Sequence, residues 1–212
     1  FHENQLTYPL APDERMDYQF GFTDITTALA ADRVIFNSET HFKAFFNGMK
    51  KFLEMMPEYK PHWAVKTIKA KADYIYPGCQ FPKDPGCEPA KSPVPLIIWN
   101  HRWEFDKNPA DFFHALDAVA EKGIDFHLAL LGENFQKMPK EFIAARQRYK
   151  NQLVQYGYVR SREKYFQWLQ NGSIIISTAR QENFGLSIIE AMRCGCIPLL
   201  PKRLSYPEIL PK

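Results

Sequence analysis

The chain has 212 residues, 45% of them hydrophobic and 24% charged, enough for one large or two small globular domains. Its formal net charge of +3 is too small to demand a polyanionic partner, and no apolar run approaches the ~18–20 residues needed to cross a membrane. The four cysteines (Cys79, Cys87, Cys194, Cys196) contain no C-x-x-C pair, which argues against a zinc site or a disulfide framework. Reduced thiols in the cytoplasm are therefore expected, with Cys194 and Cys196 as small core residues. The chain starts at Phe1 rather than Met and enters mid-pattern with "FHENQLTYPLAP", so it reads as a fragment, and a lost targeting segment is compatible with it.

In chain order, the patterning predicts a helix over 17–31 ("DYQFGFTDITTALAA"), a strand over 32–38, a helix over 41–56 and a strand over 72–77. The lysines at 60, 66, 69 and 71 form a local basic stretch. The solvated face of a helix is the favoured reading and contact with nucleic acid the alternative. Residues 76–95 hold six prolines and two glycines in twenty positions with no apolar periodicity, which marks a hinge. After it come predicted strands at 95–100, 125–132, 152–159, 173–178 and 196–201. Helices at 109–123, 139–150, 162–171 and 184–195 alternate with them. The strand segments are apolar on both faces, as in a parallel sheet covered by helices on both sides. The expected fold class is α/β: two Rossmann-like doubly wound domains, the first truncated at its N-terminus and the second at its C-terminus. The expected division is 1–85 and 86–212.

In such sheets ligands bind beyond the carboxyl ends of the strands, where helix N-termini offer unpaired N–H groups. Three strand ends carry suitable residues. "WNHRWEFDK" (99–107) sets Arg102 and Lys107 on a loop, two cations able to grip a diphosphate, Arg as a planar fork and Lys as a point charge. The competing reading pairs Arg102 with Glu104 or Asp106 and leaves Lys107 in water; His101 and Trp103 read as packing residues. "QYGYVRSREK" (155–164) places Val159 at the edge of a cleft, where a planar base would lie. "TARQENFG" (177–185 with its preceding Ser) leads into a helix from about Phe184 or Gly185. That puts Glu182 on the loop and Glu190 about two turns into the helix. At ~100° per residue, the eight steps from one to the other leave the two carboxylates about 80° apart around the axis, on adjoining sides of the helix. Glu190, flanked by "LSII" and "AM", is an unusual charge for an apolar helix.

Together these motifs resemble the retaining glycosyltransferases of GT-B fold, family 4. The family's E-x7-E pattern is present as Glu182 to Glu190, and its Arg…Lys pair as Arg102 and Lys107. The resemblance implies a nucleotide-sugar donor held mainly by the second domain, with no metal required. Arg102 and Lys107 would neutralise the diphosphate, Glu190 would bind the ribose hydroxyls and Glu182 the donor sugar. Val159, Phe184, Gly185 and Leu186 would complete the donor site, and His2 would stand near the reacting sugar. "FHENQLTYP", "HRWEFDK", "FHLALLGENF" and "CGCIPLLPKRLSYPEILP" are similar to the subgroup associated with tRNA-queuosine α-mannosyltransferase activity. That similarity implies GDP-mannose as donor and queuosine in tRNA as acceptor.

Overall fold

A computed structural model describes residues 1, 3–10, 15, 17–81, 91–133 and 138–210. The chain forms two units, each a Rossmann-like α/β arrangement of GT-B type. The first comprises Phe1–Gly78 with Gln181–Phe184 and Lys202–Lys212, and the second Cys79–Arg180 with Gly185–Pro201. The expected boundary between residues 85 and 86, and residues 82–90 of the proline-rich hinge, lie outside the described residues.

In the first unit, helix α1 (Tyr18–Ala30) leads to strand β1 (Val34–Phe36), then to helices α2 (Glu39–Glu54) and α3 (Trp63–Lys69) and strand β2 (Ala72–Tyr74). β1 and β2 pair in parallel, Val34 opposite Ala72. α2 illustrates why these residues fold as they do. Ser38 caps it by accepting the His41 N–H at 3.0 Å, a contact worth ~1 kcal/mol. Its apolar stripe (Phe45, Phe46, Met49, Phe52, Leu53) is buried against Phe36 and Ile25. α3 accounts for the basic stretch. It buries Ala64 and Ile68 and leaves Lys66 and Lys69 exposed. Lys60 pairs with Glu54 at 2.8 Å, and Lys71 donates to the carbonyls of Leu29 and Ala31. Two of the four lysines are thus solvated, as the favoured reading expected, and the other two have local partners.

The second unit is a five-stranded, wholly parallel sheet: β3 (Leu96–Trp99), β4 (His127–Leu130), β5 (Leu153–Tyr156), β6 (Ile174–Ile176) and β7 (Ile197–Leu199). Their spatial order is β5-β4-β3-β6-β7. The connecting helices are α4 (Pro109–Glu121), α5 (Lys140–Arg148), α6 (Arg162–Asn171) and α7 (Leu186–Arg193). All five strands and four helices fall where hydrophobic patterning sets them. β3 is buried along its whole length because helices cover both faces, so its sequence is "LIIW" rather than an alternation. Helix α8 (Tyr206–Ile209), four residues long, has no periodic signal that would announce it. Among the described residues no helix is long and apolar enough to cross a membrane.

Strand order reverses at β3, whose neighbours β4 and β6 come from opposite directions of winding. A doubly wound sheet opens a crevice at the carboxyl ends of the strands at such a point.

Candidate functional site

A cavity of about 350 Å³ occupies that crevice in the second unit. The loop after β3 contributes Asn100, His101 and Arg102, and the loop after β4 contributes Gly132. Val159 enters from the loop after β5, and Glu190 from α7. Arg102, Val159 and Glu190, expected from sequence at three separate strand ends, therefore line one space.

Arg102 is half exposed and its Nη1 lies 3.2 Å from Glu104 Oε2. This is the pairing that the competing sequence reading foresaw, and at such exposure it leaves the guanidinium largely available. Lys107 departs from both readings. It lies on a single 3-10 turn, Phe105–Lys107, and is neither solvated nor among the residues that line the cavity. Its Nζ is 3.1 Å from Asp106 Oδ2, with side chains 10% and 2% exposed. The Thr178 hydroxyl donates to the carbonyls of Lys107 and Asn108 at 3.0 and 2.8 Å, and the Arg180 N–H donates to that of Asp106 at 2.7 Å. The cationic loop after β3 is thus tied to the segment after β6.

His101 is buried, edge-on to Trp99 at 5.1 Å, as expected of a packing residue. Burial first, and then the Lys107 charge, lower its pKa to about 3. It is neutral at physiological pH and brings no charge to the cavity.

Gly185 precedes α7 with φ +96°, a left-handed conformation that side-chain-bearing residues rarely adopt. It corrects the sequence-based geometry. Gln181 to Phe184 are not helical and α7 begins at Leu186, so Glu190 is its fifth residue, just over one turn in. Helical arithmetic over eight residues therefore does not apply between Glu182 and Glu190. Gln181–Phe184 belong to the first unit. There Ser205 donates to the Phe184 carbonyl at 3.0 Å, Ser38 to that of Asn183 at 2.6 Å, and Phe184 stacks on Tyr76 with centroids 5.6 Å apart. Glu182 accepts the Phe184 N–H at 3.3 Å. Gly185 and Leu186 lie in the second unit outside the cavity lining, and His2 lies outside the described residues.

Three residues near the cavity escaped sequence reading. Tyr165 donates its hydroxyl proton to Glu190 Oε2 at 2.9 Å. Asn100 Nδ2 donates to the Tyr165 oxygen at 3.1 Å and to the Ser187 carbonyl at 2.8 Å. Gly132 lies on the loop just after β4, where a Cβ would stand 2.0 Å from the His101 carbonyl oxygen and 2.9 Å from the Trp103 ring. A polar residue closing the apolar run "LIIWN" was the available signal for Asn100; nothing in the local pattern separated Tyr165 from a packing aromatic. Gly132→Ala is expected to force the Arg102 loop off β4. A loss of about 1–3 kcal/mol in thermal or urea unfolding together with weaker nucleotide binding would be the result; unchanged stability would show that the loop can give way.

Residues 82–211 match the family model "Glycosyl transferases group 1". The chain belongs to the group 1 glycosyl transferases. Within them it is a family 4 member of GT-B type. Residues 1–79 match a second model, "tRNA-queuosine alpha-mannosyltransferase N-terminal". A Drosophila melanogaster tRNA-queuosine alpha-mannosyltransferase is 38% identical over 221 aligned positions, covering 100% of this chain and 58% of that protein. This glycosyl transferase chain thus spans little more than half the length of that relative. Among solved structures, the catalytic domain of starch synthase IV from Arabidopsis thaliana is similar with TM-score 0.64 at 18% identity. The alignment covers 93% of this chain and 45% of that one. Sucrose-phosphate synthase from Thermosynechococcus elongatus gives TM-score 0.64 at 16% identity, with 94% and 48% covered. At these identities the likeness is one of fold.

Proposed function

We propose that the intact protein is a retaining glycosyltransferase that moves mannose from GDP-mannose to a hydroxyl of queuosine in tRNA. The observation that carries the donor half is the convergence of Arg102, Val159 and Glu190 on one cavity at the strand-order reversal of the second unit. A cation, an apolar edge and a carboxylate are the groups that a diphosphate, a base and a ribose diol require. The acceptor half is supported by the family model matched by residues 1–79 and by the Drosophila relative.

In this reading residues 86–212 hold the donor and residues 1–85 face the acceptor. The costly event is departure of the diphosphate while positive charge grows on the sugar, and preorganised cations at the leaving group lower that barrier. Arg102 supplies one at the cavity, and Lys107, paired with Asp106 outside the cavity lining, is assigned the second. Glu190 takes the ribose hydroxyls, and Glu182 orients the donor sugar beside Phe184, Gly185 and Leu186. His2 is given the role near the reacting sugar that the family resemblance implies. Cys194 and Cys196 are free, buried thiols, which supports a cytoplasmic setting.

Glu190→Ala in the intact protein tests the donor half. Loss of a charged hydrogen-bonding partner is expected to weaken GDP binding by about 10–100-fold in calorimetry, corresponding to ~1.5–3 kcal/mol. Unchanged GDP affinity would remove Glu190 from the ribose site.

A further inference from the structure

A partly buried hydrogen-bond relay stands beside Glu190. It runs from the end of β3 through α6 to α7: Asn100 Nδ2 to the Tyr165 hydroxyl at 3.1 Å, and Tyr165 to Glu190 Oε2 at 2.9 Å. A tyrosine hydroxyl has one proton to give. Glu190 takes it, so Asn100 must present an N–H and not its carbonyl to the Tyr165 oxygen. The second N–H of Asn100 goes to the Ser187 carbonyl at 2.8 Å, which likewise accepts only a donor. Both partners therefore fix the amide the same way round. The arrangement leaves Asn100 Oδ1 buried and unpartnered among the described residues. Both N–H groups of Asn100 are thereby committed, one to Tyr165 and one to Ser187.

The relay also divides the carboxylate. Oε2 is engaged by Tyr165, whereas Oε1 has the exposed Arg162 guanidinium at 3.9 Å, longer than a hydrogen bond. Burial, and then the Glu190 charge, push the Tyr165 pKa up, so the phenol keeps its proton throughout the physiological range.

We propose that Tyr165, oriented by Asn100, is a positioning residue that holds the Glu190 carboxylate in the one rotamer able to receive a ribose diol. The proposal rests on the ribose role given to Glu190 above. Without the tyrosine proton the carboxylate is free to turn toward Arg162, and the protein loses discrimination between nucleotides with and without ribose hydroxyls. Tyr165 lines the cavity beside Glu190, and its proposed effect runs through that carboxylate.

The test compares GDP with 2′,3′-dideoxy-GDP by calorimetry in the intact protein, as wild type, Tyr165→Phe, Glu190→Gln and the double variant. Wild type is expected to favour GDP, and Tyr165→Phe to reduce that preference about tenfold while leaving dideoxy-GDP affinity and the melting temperature close to wild type. In the Glu190→Gln background, Tyr165→Phe should add no further loss of preference, because the two residues act as one unit. If wild type does not favour GDP, the ribose role of Glu190 fails. If wild type favours GDP and Tyr165→Phe keeps that preference in full, the ribose role stands and the relay is overturned. An equal loss for both nucleotides, with a lower melting temperature, would also overturn it by assigning Tyr165 to packing alone.

Discussion

Replacement of Arg102 by alanine is expected to reduce transfer by about 100–1,000-fold while leaving the fold intact, by analogy with the loss of one preorganised group that stabilises developing charge. The two halves of this expectation rest on different observations. Arg102 lines the donor cavity, so its removal takes a positive charge from beside the leaving group. It is half exposed and its ion pair is with Glu104 on the same loop, an arrangement worth only about 0–1 kcal/mol of stability. Single-turnover kinetics with GDP-mannose and a thermal melt check the two parts together. A variant of full activity would take Arg102 out of the mechanism. A large fall in melting temperature would mean that its pairing is structural.

Lys107 is expected to behave in the opposite way. Its partner Asp106 is 2% exposed, so Lys107→Ala strands a carboxylate away from water. Breaking a buried pair from one side costs about 3–5 kcal/mol, which at this chain length lowers the melting temperature by roughly 10 °C. The double variant Asp106→Asn, Lys107→Ala removes the stranded charge and should recover most of that stability. Activity then decides the role of the lysine. If the stable double variant remains inactive, Lys107 supplies charge to the diphosphate as well as holding the loop. If it transfers sugar at the wild-type rate, Lys107 serves only to anchor the turn that carries Arg102. A single variant would confuse these outcomes, because a misfolded enzyme and a chemically disabled one both fail to turn over.

The particular residues show what the sequence made legible. The strands and helices of the second unit follow from runs such as "PLIIWN" and "SIIIST" with helical segments between them, because burial on both faces writes itself into composition. Arg102, Val159 and Glu190 were legible because a parallel sheet sends its loops to one end, so residues at three strand ends converge without being neighbours in sequence. The spacing of Glu182 and Glu190 was legible as a motif but not as a geometry. Gly185, with φ +96°, ends one backbone direction and begins another, and no helical angle carries across it. The burial of Lys107 was invisible because a lysine beside an aspartate reads the same whether the pair faces water or the protein. Tyr165 and Asn100 were hidden for a related reason: their roles lie in hydrogen bonds between residues 65 positions apart, made by side chains that also suit a helix face and a strand end.

The most direct measurement is transfer of radiolabelled mannose from GDP-mannose by the intact protein, with queuosine-containing tRNA and the same tRNA lacking queuosine as parallel acceptors. The account predicts label in the queuosine-containing tRNA alone, an α-linked product and stoichiometric release of GDP. Equal labelling of both tRNAs, or release of GDP without transfer, would contradict it.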